Sequence, residues 1–142
     1  MTDGAALDEA IRQARLGLRE GGAPYGAVVL RGSAVLAAAP NRVAAGGDPT
    51  AHAEVEAIRR AAAALGSPDL ADCTLYTTAE PCLMCCGAIF WAGIRRVVYG
   101  ARDPRFGAAA HLAATTSIEL HDAASPACAD LLAEAMRRLD AD

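Results

Sequence analysis

Two short stretches of the chain hold residue types that bind metals and move protons. The first is Thr50-Ala51-His52-Ala53-Glu54; the second is Glu80-Pro81-Cys82-Leu83-Met84-Cys85. One imidazole and two thiols, His52, Cys82 and Cys85, are borderline-to-soft donors of the kind zinc takes. Cys82 and Cys85 stand three apart, on one turn of a helix that Pro81 is suited to open, so both sulfurs face the same way. The free N–H groups and the dipole of a helix start also favour thiolates. His52 and Glu54 lie roughly 200° apart around an ideal helix, which rules out a shared lateral face. In a first turn, however, both reach a point just beyond the helix end. The two motifs then aim at one spot. Three ligands leave a fourth tetrahedral position for a water whose pKa zinc lowers to about 7. A carboxylate beside it, Glu54, can take the water's proton and pass it to a leaving group.

Competing uses of these residues are weaker. A redox Cys-x-x-Cys site does not need the His-x-Glu element, and a structural zinc site would want a fourth Cys or His nearby. Cys86 follows Cys85 and so points about 100° away from it, into the core. Cys73 begins a strand and Cys128 begins the last helix, and both are expected to be buried thiols. His111 and His121 fall in an irregular stretch and are expected to face solvent.

The elements that carry these motifs are read from periodicity. Leu7, Ile11, Ala14 and Leu18 repeat at helical spacing over residues 5–20, and Gly21-Gly22 ends the run. Residues 26–31 and 34–39 are short strand-type runs around Gly32-Ser33, a hairpin. Asp48-Pro49-Thr50 predicts the start of a helix over about 50–65, closed by Gly66. A strand over 73–77, a helix over 81–92 and a strand over 96–100 follow. Residues 101–116 read as irregular or partly helical, 117–121 as a fifth strand and 126–139 as a terminal helix. Strands alternating with helices after an antiparallel pair predict an α/β protein, a three-layer α/β/α sandwich around a mixed five-stranded sheet.

The 142 residues suit one domain spanning 1–142. Apolar residues make up 54%, but 36 of the residues are alanine and only 6 are aromatic, so the core must be tight and built from small side chains. The net charge of −4 opposes binding to a polyanion. No apolar run is long enough for a membrane span, and the acidic start Met1-Thr2-Asp3-Gly4 is unlike a signal peptide, so a cytoplasmic location is expected. Five cysteines, three of them within 82–86, read as metal chemistry in a reducing compartment and not as a disulfide framework.

Three stretches carry a family resemblance: GAPYGAVV (22–29), NRVAAGGDPTAHAEVEAIRRA (41–61) and CTLYTTAEPCLMCCGAIFWAGIRRVVYGARD (73–103). Over residues 5–105 the chain resembles the cytidine deaminase-like superfamily, whose His-x-Glu…Pro-Cys-x-x-Cys signature is a general one for zinc-dependent nucleobase deaminases. It looks most like the branch of guanine deaminases, cytosine deaminases and tRNA adenosine deaminases. The resemblance implies one zinc ion per subunit on His52, Cys82 and Cys85, with Glu54 as proton shuttle. It implies substrate contacts from Asn41, Tyr25 and the Ala53 backbone, and a homodimer. Trp91 would either line the pocket or fill the core. The implied reaction is hydrolytic deamination of a small amino-substituted heterocycle, using a catalytic water and no organic cofactor. The helix over 50–65 and the strand after it resemble guanine deaminases, which puts guanine first, ahead of cytosine, isocytosine and aminotriazine rings. Residues 102–110, RDPRFGAAA, resemble the tRNA adenosine deaminases and make adenosine-to-inosine conversion in tRNA the alternative. An inactive zinc-bearing binding module is the non-enzymatic alternative; the presence of Glu54 speaks against it.

Overall fold

A computed structural model describes residues 1–141. Eleven elements follow in chain order: α1 (Asp3–Arg19), β1 (Gly26–Arg31), β2 (Ala34–Pro40), α2 (Val43–Gly46), α3 (Ala53–Leu65), β3 (Cys73–Ala79), α4 (Leu83–Ala92), β4 (Arg96–Ala101), α5 (Ala109–Thr115), β5 (Glu119–Asp122) and α6 (Pro126–Ala141). The strands form one sheet in the order β2-β1-β3-β4-β5. β1 runs antiparallel to both β2 and β3, while β3, β4 and β5 are mutually parallel. The crossover through α3 therefore joins two parallel strands, β2 and β3, with β1 inserted between them.

Both faces of the sheet are covered, which is why the central strands read as unbroken apolar runs. Alternate residues divide between two cores. Ala27, Val29, Leu75 and Val97 face α3 and α4. Val28, Leu30, Tyr76 and Val98 face α1 and α6. The three-layer sandwich expected from the sequence is what forms. Its alanine content has a packing use: Ala53, Ala57 and Ala61 present a fully buried stripe of α3 to the sheet. α1 also sits close to β1. A Cβ at Gly26 would lie 2.0 Å from the Ala10 carbonyl oxygen, so only glycine allows that approach.

Two helix starts differ from the sequence expectation. α3 begins at Ala53, not near residue 50, because Asp48 accepts hydrogen bonds from the Thr50 amide (2.8 Å) and hydroxyl (2.7 Å) and closes a separate turn. Ala51 then accepts from the Arg42 amide (2.9 Å), which holds this stretch extended against the segment after β2. α4 begins at Leu83 rather than 81. Residues 101–116 resolve into a loop and α5, and the short helix α2 had no periodic signal of its own.

An ion pair fastens the amino end of α1 to the sheet. Asp3 accepts from Arg96 at 2.7 and 3.0 Å and from the Tyr76 hydroxyl at 2.6 Å. The Arg96 guanidinium, then the Tyr76 hydroxyl, hold the Asp3 carboxyl far below the usual carboxylate range. A depressed carboxylate stabilises the fold above its unfolded pKa of about 4 and loses that contribution as pH falls through its folded value. Asp3→Asn is therefore expected to lower Tm at neutral pH, with the gap from the parent closing toward acid pH. Asp3 is 46% exposed, so solvent screening limits the effect to about 1 kcal/mol or less. Thermal melts across pH check it; a gap that widens in acid would contradict the assignment.

Candidate active site

The candidate metal donors sit at two helix starts that meet beyond the carboxyl ends of the parallel strands. His52 is the N-cap of α3 and Cys82 the N-cap of α4, both with extended backbone. Neither is inside its helix, so ideal-helix angles do not set where their side chains point. Each residue instead projects off the end of its helix toward the other. Cys85 follows in the first turn of α4 and is fully buried.

The His52 Nδ1 lies 3.6 Å from both the Cys82 Sγ and the Cys85 Sγ. All three donor atoms fall within 4.8 Å of one another. Zn–N and Zn–S bonds of about 2.1 and 2.3 Å at a tetrahedral angle place nitrogen and sulfur about 3.6 Å apart. The spacing and the donor chemistry thus fit one zinc ion.

The electrostatics of the cluster are those of strongly interacting groups. Hydrogen bonding from Cys85, then from His52, holds the Cys82 thiol down to about 4 against its burial. Cys85 is pushed up by donating in that same contact and by burial. The contact with Cys82 raises His52. Glu54, in the first turn of α3, is only 6% exposed, and burial pushes its carboxyl up to about 7. A carboxyl poised there can both accept and release a proton near neutral pH.

These groups open on a cavity of about 840 Å³, within the usual range for small-molecule sites. Tyr25, Asn41, His52, Glu54 and Cys82 all line it. Asn41 is 9% exposed, and its Oδ1 accepts from the Val43 amide at 3.1 Å, which leaves the carboxamide N–H groups without a partner among the described residues. Burial and the negative charge of Asp103 and Glu54 push the Tyr25 hydroxyl up to about 12, so it stays protonated.

One side chain named from the sequence is not on the cavity. Trp91 is 82% exposed and makes an edge-to-face contact with Phe90, 5.2 Å between centroids. Ile89 and Ala92 face the core, and Trp91 lies about 200° around the helix from Ile89. It neither lines the pocket nor fills the core. The Ala53 side chain is fully buried against the sheet; the expectation concerned its backbone amide, which stands between His52 and Glu54 at the start of α3.

Other walls went unread in the sequence. Glu80, Asp103 and Phe106 line the cavity, as do Met136, Arg138 and Leu139 from the end of α6. Asp103 had a usable signal: it comes just after a parallel strand, where ligands of open α/β sheets bind. The α6 residues had none, because what an amphipathic terminal helix faces at its far end is a tertiary fact. Cys73, Cys86 and Cys128 are buried and His111 and His121 exposed as expected, but the two histidines lie in α5 and β5 and not in irregular chain.

A mixed α/β/α sandwich with a His/Cys/Cys cluster at two converging helix starts defines a class of zinc-binding deaminase fold. Residues 1–101 match the cytidine and deoxycytidylate deaminase zinc-binding region, and the chain belongs to that family. It is similar to guanine deaminase of Bacillus subtilis, 49% identical over 96 residues that cover 67% of this chain and 62% of that protein. It is also similar to tRNA-specific adenosine deaminase of Agrobacterium fabrum, 44% identical over 102 residues that cover 72% of this chain and 67% of that one. The match thus spans less than two thirds of the Bacillus protein's length. A solved structure from a study of A-to-I editing by tRNA:A34 deaminases superposes with a TM-score of 0.85 and 34% identity, covering 90% of this chain and 99% of that one. No helix among the described residues is long and apolar enough to cross a membrane.

Proposed function

We propose that the chain is a zinc-dependent hydrolytic deaminase of a free amino-substituted nucleobase, with guanine as its first substrate. The observation that carries this reading is the buried Glu54 carboxyl beside a donor set of zinc spacing, on the wall of a cavity with ample room for a heterocyclic base. When bound, zinc would supply a water acidified to a pKa of about 7. Glu54 accepts the proton of that water and delivers it to the ring nitrogen next to the amino-bearing carbon. It then helps protonate the departing ammonia, so that the carbon–nitrogen bond breaks as the carbonyl forms. The free Asn41 amide donates to a ring acceptor, and Tyr25 flanks the ring and donates from its hydroxyl.

Guanine is favoured over a tRNA-borne base by the net charge and by the 49% identity to a guanine deaminase. Phosphate contacts dominate polynucleotide affinity, and the −4 charge opposes them. The second reading, adenosine deamination in tRNA, is favoured by the superposition that covers nearly all of a tRNA deaminase-study chain. The deciding measurement is kcat/KM for guanine, cytosine and an anticodon stem-loop at matched salt. Guanine turnover well above the other two is expected. Inosine formation in the stem-loop with no turnover of any free base would overturn the proposal.

The same reading takes residues 1–142 as one unit, since α1 and α6, from opposite ends of the chain, pack on the same face of the sheet. Five unpaired thiols support a cytoplasmic setting. A homodimer is part of it as well. α4 leaves Leu83, Met84, Phe90 and Trp91 exposed beside the site, an apolar face that a second subunit would cover. Light scattering at tens of micromolar is expected to give twice the chain mass; a clean monomer would contradict the dimer.

A further inference from the structure

The segment between β4 and α5 carries two cavity-lining side chains, Asp103 and Phe106. It is an irregular loop, and its backbone groups are tied chiefly to one side chain outside it. Glu80 accepts from the Asp103 amide through Oε1 and from the Ala109 amide through Oε2, each at 3.0 Å. Its two carboxylate oxygens thus hold both ends of the loop. Pro81 reinforces the contact by accepting from the Ala108 amide at 2.9 Å, and Gly107 pairs with Cys82 in an isolated antiparallel bridge. The loop lies directly on the carboxylate: a Cβ at Gly107 would fall 2.3 Å from the Glu80 Cδ. Within the loop, the Asp103 Oδ1 accepts from the Arg105 and Phe106 amides at 2.9 and 3.0 Å, which turns Phe106 in register with Asp103.

From this clamp we infer that Glu80 is a positioning residue for substrate, acting through the 103–109 loop. The inference rests on the deaminase reading only for its kinetic half. Glu80 fixes where Asp103 and Phe106 stand relative to Cys82, two residues along the chain, and so couples the substrate wall to the metal-side wall of one cavity. Its action falls on how tightly the ring is held and leaves the proton transfers by Glu54 in place.

Glu80→Gln tests this with little change of volume. The amide keeps one acceptor and turns an N–H group toward the second backbone N–H, leaving a donor unpaired. Zinc content and circular dichroism are expected to stay at parent levels. KM is expected to rise roughly tenfold with kcat nearly unchanged, the size of effect an unpaired buried donor produces. In a Phe106→Ala background the same change is expected to add little further loss, because its route to the substrate is already gone. Hydrogen exchange supplies a readout independent of turnover. The Asp103 and Ala109 amides are expected to be protected in the parent and to lose protection in Glu80→Gln. Should Glu80→Gln fail to fold, Gly107→Ala drives the loop off the carboxylate from the other side and is expected to give the same KM rise with zinc retained. A fall in kcat at constant KM, effects that add fully with Phe106→Ala, or unchanged protection of the two amides would each overturn the inference. A parent inactive on every base tested would overturn the deaminase reading and leave the exchange result to decide on Glu80.

Discussion

Glu54→Gln is expected to leave zinc in place while lowering kcat by about 10²–10⁴-fold, the usual worth of a group that moves protons in the transition state. The substitution keeps nearly the same volume and replaces an ionisable group with one that cannot accept and release a proton near neutral pH. Glu54 is not among the three donors, so metal content is expected to match the parent. The fold has no reason to weaken, since burial pushes the Glu54 carboxyl up to about 7 and the site already disfavours its charge. Metal analysis alongside steady-state kinetics checks both halves. Less than a tenfold loss at full zinc occupancy would remove Glu54 from the proton-transfer role.

Cys85→Ala is expected to abolish stoichiometric zinc binding and, with it, the stability that zinc confers on the folded state. Cys85 is fully buried at the centre of the cluster, and two donors alone hold zinc poorly. A ligand present at about a hundred times its dissociation constant stabilises the native state by roughly 2.7 kcal/mol. For a chain of this size that corresponds to a Tm shift of roughly 10 °C. The parent's Tm is therefore expected to fall on chelation, and the variant's to be insensitive to added zinc or chelator. Because the donors must be deprotonated, zinc affinity is also expected to weaken in acid. Zinc bound one-to-one by a Cys82→Ala, Cys85→Ala double variant would sink the donor assignment.

Legibility in the sequence followed the range of the interaction. Helical repeats in 5–20 and 126–139 and the β-branched runs of β3 and β4 are local signals, and those elements form where periodicity put them. The sandwich followed from their alternation. Insertion of β1 between β2 and β3 was not legible, because strand order is decided by burial across the whole sheet. Helix boundaries erred by a residue or two where the chemistry sits: His52 and Cys82 are extended N-caps, so residues assigned to a first helical turn stand just outside it. The convergence of His52, Glu54, Cys82 and Cys85 was readable because all four belong to two short motifs at helix starts. Asn41 and Tyr25 needed the family resemblance to be noticed. Trp91 misled because an aromatic in an apolar run suggests burial, whereas α4 keeps an uncovered face.

Asp3 and Ala141 differ sharply as attachment points. Asp3 is bonded to Arg96, at the entry end of β4, whereas the cavity gathers residues beyond the exit end of the same strand. Six residues of strand put roughly 17 Å between the two. Ala141, in contrast, is itself a cavity-lining residue, and Arg105 reaches across to Asp140 at 2.9 Å. A purification tag, fluorescent fusion or surface tether joined after Ala141 would set off from the rim of the cavity and crowd whatever enters it. The same attachment made ahead of Asp3 would set off about a strand's length from the cavity, which makes it the position to use for immobilising the protein or linking it to another enzyme.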